Sequence, residues 1–307
     1  MSTIIYWLWR LGSFLVGHLP LRACYALADL VGRLVYWLLP NMRHNARANY
    51  GQVMNKPVND PAVKEVTKQC FRNFCRYVLE VMRFPYISDR ELNRRVVLHD
   101  TSEFERALAQ RQGVIFVSAH FGNMELAGVQ LATKYARMTL AAEVLKTRQL
   151  YEWLVAHRAR HNVRLIPYTH AARTLLKALR DNEFVGFFLD LGIRYDHKGV
   201  PVKFFGETAH FPAAPALLAH RTGAPIIQGY AVIGADGRIH GHAFPTLHVD
   251  RGLDRDQFVQ QVTQQMASNM EKFIAQHPEQ WYIFRRIWPD GVALESQEAS
   301  QFGVQAG

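Results

Sequence analysis

The stretch Gly113-Val114-Ile115-Phe116-Val117-Ser118-Ala119-His120-Phe121-Gly122-Asn123-Met124-Glu125-Leu126 runs from an unbroken apolar segment through a short polar turn into a helical pattern. An apolar run without polar alternation is covered on both faces, as in an inner strand of a parallel sheet. The chain on the C-terminal side continues in the same texture. Short apolar runs at 139–144, 164–166, 184–189, 202–205 and 226–232 read as strands, and the segments 124–135, 148–161, 171–180, 212–221 and 255–276 read as helices. This alternation predicts an α/β fold with a mixed, mostly parallel sheet flanked by helices on both faces. On the N-terminal side, Val63, Val66, Cys70, Phe74, Val78 and Met82 recur at helical spacing and predict a core-facing helix over 61–82.

The chain has 307 residues, 49% of them hydrophobic and 20% charged, which is enough for one large core. A principal domain over 51–295 is expected, preceded by an N-terminal interfacial helical segment, 1–50, and followed by a flexible tail, 296–307. The first forty residues are rich in Leu, Trp and Tyr but interrupted by Arg10, Arg22, Asp29 and Arg33. A spanning helix requires about 20 nearly uncharged residues, so amphipathic helices lying on a membrane fit better than a crossing segment. A buried helix pair packing on the domain produces the same apolar stripe. The basic segment Arg43-His44-Asn45-Ala46-Arg47 then meets anionic headgroups. The net charge of +10 calls for an anionic partner, a membrane surface or nucleic acid. The sequence contains no helix-turn-helix, zinc-finger or aromatic RNA-binding signature, which argues for no nucleic acid. The odd cysteine set Cys24, Cys70 and Cys75 sits among apolar residues, indicating core thiols in a reducing compartment. The early apolar stretch, carrying charge throughout and lacking a small-residue cleavage site, does not read as a secretory signal.

His120 and Glu125 fall at the C-terminal end of the first strand, where open α/β sheets bind ligands. Residues five apart lie about 140° apart around a helix, so the two side chains cannot meet if both are helical. His120 therefore belongs to the turn, with Asn123 as N-cap and Glu125 in the first helical turn, its carboxylate placed to hold the imidazole. An imidazole held in this way removes a proton from a hydroxyl; the alternative is a histidine that merely closes a strand-to-helix turn. Backbone N–H groups of Gly122 and Asn123, at the positive end of a helix, suit an oxyanion.

Three later blocks follow in order: Gly199-Val200-Pro201-Val202-Lys203-Phe204-Phe205-Gly206, then the helix and turn from Pro212 to Pro225, and finally His277-Pro278-Glu279-Gln280-Trp281-Tyr282-Ile283-Phe284-Arg285-Arg286-Ile287-Trp288. Together with His120 and Glu125, a His and an acidic residue separated by four others, they resemble the bacterial lipid A biosynthesis (late) acyltransferase family and its relatives, the phosphatidylinositol mannoside acyltransferases, within the lysophospholipid acyltransferase superfamily. The resemblance covers about 101–289 and implies a glycerol-phosphate acyltransferase-like fold. Asp190 matches the family's strand-end acid but is followed by Leu191, where a polar residue is usual. Phe284 stands where many lipid A enzymes carry a histidine before the paired arginines.

The resemblance implies a membrane-associated O-acyltransferase in which His120 activates an acceptor hydroxyl against an acyl thioester, without an acyl-enzyme. The sequence has no Gly-x-Ser-x-Gly elbow and no cysteine near a candidate base. The expected partners are acyl carrier protein or coenzyme A as thioester co-substrate, a glycolipid or lipid A-type acceptor, and an anionic membrane surface; no cofactor or metal is expected. The resemblance implies the cytoplasmic face of the cell inner membrane. A basic set, Lys146, Arg148, Arg158, Arg160 and Arg164, offers phosphate ligands, Arg158 and Arg164 foremost, with a solvated basic face as the alternative. Asp190 and Lys146 complete the expected substrate-binding set; an Asp capping the following turn is the ordinary alternative at 190. Glu143, in an apolar strand, is a pocket acid or a partner of Lys146. His240, His242 and His248 share a strand face, as any exposed strand arranges alternate residues. A lipid ester hydrolase, or a non-enzymatic basic module on membranes or nucleic acid, is the competing reading.

Overall fold

The apolar run at 114–118 lies inside a sheet, hydrogen-bonded to a parallel strand on either side. The computed structural model describes residues 2–142, 144–169, 171–190, 199–247 and 252–288. Four helices come first, α1 (Ser2–His18), α2 (Leu21–Leu38), α3 (Pro40–Met54) and α4 (Pro61–Arg83). Next are α5 (Asp89–Arg95), β1 (Val96–Leu98), α6 (Ser102–Ala109), β2 (Val114–Ser118), α7 (Met124–Lys134), β3 (Met138–Ala142), α8 (Arg148–Ala159), β4 (Val163–Pro167), α9 (Ala171–Arg180) and β5 (Phe184–Phe188). The described chain closes with β6 (Val200–Phe204), β7 (Glu207–Phe211), α10 (Ala214–Thr222), β8 (Ile226–Ile233), β9 (Ile239–Ala243) and α11 (Arg255–Gln276).

Among the described residues, seven strands form one sheet in the order β1-β9-β8-β2-β5-β3-β4. All neighbours are parallel except β8 and β9, so the fold is the mixed α/β arrangement that the sequence predicts. Val114, Met138, Phe184 and Ile227 pack on one face with Phe104 of α6 and Leu126 and Val129 of α7. Ile115, Val117 and Val185 pack on the other with Leu175 of α9, Ala219 of α10 and Met270 of α11. Double coverage explains why β2 carries no polar alternation. The run at 202–205 lies outside this sheet. It belongs to β6, which pairs with β7 as a separate antiparallel hairpin and buries alternate residues Val200, Val202 and Phe204.

The N-terminal helices gather on α4, which contacts α1, α2 and α3. Asp60 caps α4 by accepting from the Ala62 N–H, with Pro61 in the first turn. Asp29 of α2 accepts from Arg72 at 3.0 Å and Arg76 at 2.6 Å. Both helices approach closely at Gly32, where a Cβ would lie 2.7 Å from the Arg72 Cα. Position 50, the expected segment boundary, falls inside α3, and buried Tyr50 donates to the Trp281 carbonyl. Ile4, Trp7, Leu8 and Leu11 of α1 and Leu30, Leu34, Trp37 and Leu38 of α2 remain exposed. No single helix among the described residues is long and apolar enough to cross a membrane. On its inner side α1 reaches α8, with Trp9 and Trp153 edge to face at 5.9 Å. Cys24 and Cys70 are buried free thiols, and burial pushes Cys70 up to about 12.

Candidate active site

The turn after β2 is pinned from across the molecule. Gly122 donates its N–H to the Gln280 carbonyl at 2.8 Å, Tyr282 donates to the His120 carbonyl at 2.8 Å, and Phe121 bridges to Trp281. Gly122 has φ +55°, and a Cβ there would lie 1.8 Å from the Ala231 carbonyl oxygen, so only glycine fits. Asn123 accepts from the Leu126 N–H and caps α7, leaving Glu125 in the first helical turn and His120 in the turn. Because the Gly122 N–H already serves Gln280, the expected oxyanion donor at that atom is occupied.

The imidazole of His120 is held by Asp190. Its Nδ1 lies 2.8 Å from Asp190 Oδ1, and its backbone N–H donates to Oδ2 at 2.7 Å. Trp281 Nε1 adds a third donor at 3.0 Å. The Asp190 carboxylate is fully buried, while the His120 side chain stays 26% exposed. Burial alone would push the Asp190 carboxyl up; the His120 ring charge, the His120 hydrogen bonds and the Trp281 indole outweigh it and hold the carboxyl below its usual value. With Nδ1 engaged as donor to a carboxylate, Nε2 is left to accept a proton. The Phe188 ring packs 4.6 Å from the imidazole and limits its swing.

Glu125 does not hold the imidazole, contrary to the sequence expectation. It forms a bidentate pair with Arg158, Nε to Oε1 at 2.7 Å and Nη2 to Oε2 at 2.8 Å. The expectation followed proximity along the chain. In the fold, β5 lies beside β2, so the residue two beyond Phe188 reaches the histidine first. Burial would lower the Arg158 value, but the Glu125 charge and hydrogen bonds raise it, so the guanidinium stays charged. Arg158 thus meets a carboxylate rather than standing ready for phosphate. Arg164 lies on β4, within the strand that the run at 164–166 predicts, but its head is bonded to Thr139 and Glu183 next to the start of β5, away from the strand end that carries His120. Arg148 pairs with Glu152, and Lys146 and Arg160 are exposed. His240 reaches Asp236 and His99, and His242 stacks on His99 at 4.6 Å. Glu143, Leu191 and His248 lie outside the described residues.

His120, Glu125 and Arg158 open onto a largely apolar cavity of about 830 Å³, toward the upper end of the usual ~300–1,000 Å³ for ligand sites. Leu140, Phe116 and Leu131 line it, with Gly186 and Gly229 making room on the sheet for the Leu140 and Phe116 side chains, and Leu145, Tyr168 and Leu217 stand exposed where they border it. The family model for bacterial lipid A biosynthesis acyltransferases matches residues 1–289. The chain belongs to this acyltransferase family. Phosphatidylinositol mannoside acyltransferases are among its relatives. The protein of that name from Mycobacterium tuberculosis is 28% identical over 291 residues, covering 92% of this chain and 88% of the relative. The one from Mycolicibacterium smegmatis is 28% identical over 246 residues, covering 79% of this chain and 78% of the relative. The acyltransferase therefore brings a histidine–carboxylate pair to the edge of an apolar cavity. Sequence spacing missed that pairing, the Trp281 contact and Tyr151 on the cavity wall; the apolar run ending in Asp190 was the available signal for the first.

Proposed function

We propose that this enzyme transfers a fatty-acyl group from an acyl thioester, carried by coenzyme A or acyl carrier protein, to a hydroxyl of a membrane glycolipid of the lipid A or phosphatidylinositol mannoside type. The supporting observation is the His120–Asp190 pair, with Nδ1 tied to a buried carboxylate at 2.8 Å, bordering the apolar cavity. Nε2 removes the acceptor hydroxyl proton, and the oxygen attacks the thioester carbonyl. The tetrahedral intermediate collapses with loss of the thiolate, which takes the proton back from the imidazolium. Asp190 fixes the tautomer and stabilises the imidazolium. The acyl chain occupies the apolar cavity, and the Glu125–Arg158 pair forms part of the polar wall facing the acceptor.

The exposed apolar faces of α1 and α2 and the net charge of +10 support peripheral attachment to an anionic membrane surface, which we place at the cytoplasmic face of the inner membrane; Arg43 and Arg47 of α3 are engaged on Tyr36. In detergent-purified protein given palmitoyl-CoA or palmitoylated acyl carrier protein and a glycolipid acceptor, His120→Ala is expected to lower transfer by about 10²–10⁴-fold while circular dichroism stays unchanged. Full activity in that variant would refute the mechanism, and release of free fatty acid alone by the wild type would identify a hydrolase.

A further inference from the structure

Trp281 is fully buried and does not line the cavity, yet its indole reaches the carboxylate that holds His120. The two oxygens of Asp190 are unequally served. Among the described residues, Oδ1 meets His120 Nδ1 at 2.8 Å, whereas Oδ2 accepts from the His120 backbone N–H at 2.7 Å and from Trp281 Nε1 at 3.0 Å. The terminal torsion of an aspartate is broad, so a second donor on Oδ2, from a different part of the chain, narrows the swing of the carboxylate plane. The indole arrives preset. Phe121 bridges to Trp281, Tyr50 of α3 and Cys70 of α4 donate to its carbonyl, and its ring meets Phe204 edge to face at 6.1 Å. Also around Asp190 are the Tyr230 phenol of β8, which burial and then the Asp190 charge keep well above its usual value, and Arg285, which donates to the Asp190 backbone carbonyl at 3.0 Å.

From this, and resting on the acyl-transfer reading above, we infer that Trp281 is a positioning residue for the reaction: its indole N–H holds the Asp190 carboxylate in the orientation that turns Nε2 of His120 to the acceptor hydroxyl. Two effects follow from one hydrogen bond. By keeping Oδ1 on Nδ1, the indole maintains a single imidazole tautomer. By drawing charge from Oδ2, it makes the His120–Asp190 pair take up an inactivating proton less readily. A purely apolar ring would fill the same place in the core and supply neither effect, because it has no donor. Trp281 itself touches no reacting atom and moves no proton.

The test removes the N–H and keeps the shape. In the full-length protein, β-(3-benzothienyl)-alanine, with sulfur in place of the indole N–H, is inserted at Trp281 by nonsense suppression; tryptophan inserted in the same way is the reference, and Trp281→Phe is a second variant. With palmitoyl-CoA or palmitoylated acyl carrier protein as donor and octyl mannoside as acceptor probe, kcat is expected to fall by about tenfold or more in both variants, as for loss of a hydrogen bond to a charged group. KM for donor and acceptor should stay within about twofold, and the acid limb of the kcat/KM profile should move to higher pH by about half a unit or more. In long-range 1H–15N spectra of 15N-histidine-labelled protein at about pH 8, the His120 ring, assigned with His120→Asn, should show Nδ1–H with a bare Nε2 in the reference and lose that fixed pattern in the benzothienyl protein. A benzothienyl enzyme with the reference kcat and the reference His120 pattern overturns the proposal. So does a fall in kcat with an unmoved acid limb, which assigns the indole to packing, or a change confined to KM, which assigns it to substrate contact. A reference protein that transfers no acyl group from either thioester counts against the transfer reading, and the His120 pattern then decides the positioning by itself: a pattern that depends on the N–H upholds it, and one that does not overturns it.

Discussion

At the scale of single residues, the site depends on a buried carboxylate with three donors from two residues. Asp190→Asn keeps the shape but removes the charge that favours the imidazolium, and an amide can present a donor to Nδ1. Transfer is expected to fall by about 10²–10⁴-fold, measured as initial rate at saturating donor. The same substitution reports on stability. Since the folded Asp190 value lies below the unfolded one, its stabilisation is complete above the ordinary carboxylate range, about pH 4, and is lost as pH falls through the folded value. Acid titration of unfolding should therefore show a shallower loss below about pH 4 in Asp190→Asn than in wild type. The position of His120, in a strand-to-helix turn at the edge of the cavity, was legible in the sequence because the apolar run ends just before it and Asn123 caps the helix after it. Its partner was not, because Asp190 is seventy positions away and reaches it only through the pairing of β2 with β5, a long-range register that no local pattern encodes.

Between elements, the Glu125–Arg158 pair ties the start of α7 to the last turn of α8. Both side chains are mostly buried, 11% and 15% exposed, so deleting either leaves an uncompensated charge. Glu125→Ala and Arg158→Ala are each expected to cost about 3–5 kcal/mol, whereas the double variant should cost less than their sum in denaturant titration. On the sheet, a Cβ at Gly186 would lie 2.2 Å from Leu140 Cδ2, and one at Gly229 2.8 Å from the Phe116 ring. Gly186→Ala drives Leu140 aside into the cavity. The preferred acyl donor should then shorten by about two or more carbons, read from competition among acyl-CoA lengths, in proportion to the volume removed. Helices and inner strands were legible from period and apolar runs. The three-residue β1 was not, since so short a strand shows no pattern, nor was β7, whose Glu207, Thr208 and His210 interrupt any apolar run; Arg164 was misread as a phosphate ligand because its partners Thr139 and Glu183 come from distant strand positions.

For the molecule as a whole, the apolar exposure is concentrated on α1 and α2, where Trp7, Leu8, Leu34 and Trp37 are each more than half exposed. Replacing Trp7, Leu11 and Trp37 together by Ser should reduce co-flotation with anionic vesicles by about tenfold or more, as expected when three large exposed apolar side chains are no longer available to enter the lipid. The melting temperature should hardly move, because these residues contribute little to the core; retention of full flotation would remove the interfacial reading. The sequence carried the apolar and basic character of this end but left open whether the stripe is buried or bare, since both give the same periodicity, and the fold leaves much of it bare. The edge-to-face contact of Trp9 with Trp153 adds something mechanical. The helix with the bare apolar face leans on the helix that carries Arg158, so a push on that face is passed to the wall of the cavity, and a ligand seated on that wall pushes back on α1. Under the membrane attachment proposed above, lipid packing becomes a control on turnover, with α1 as its handle.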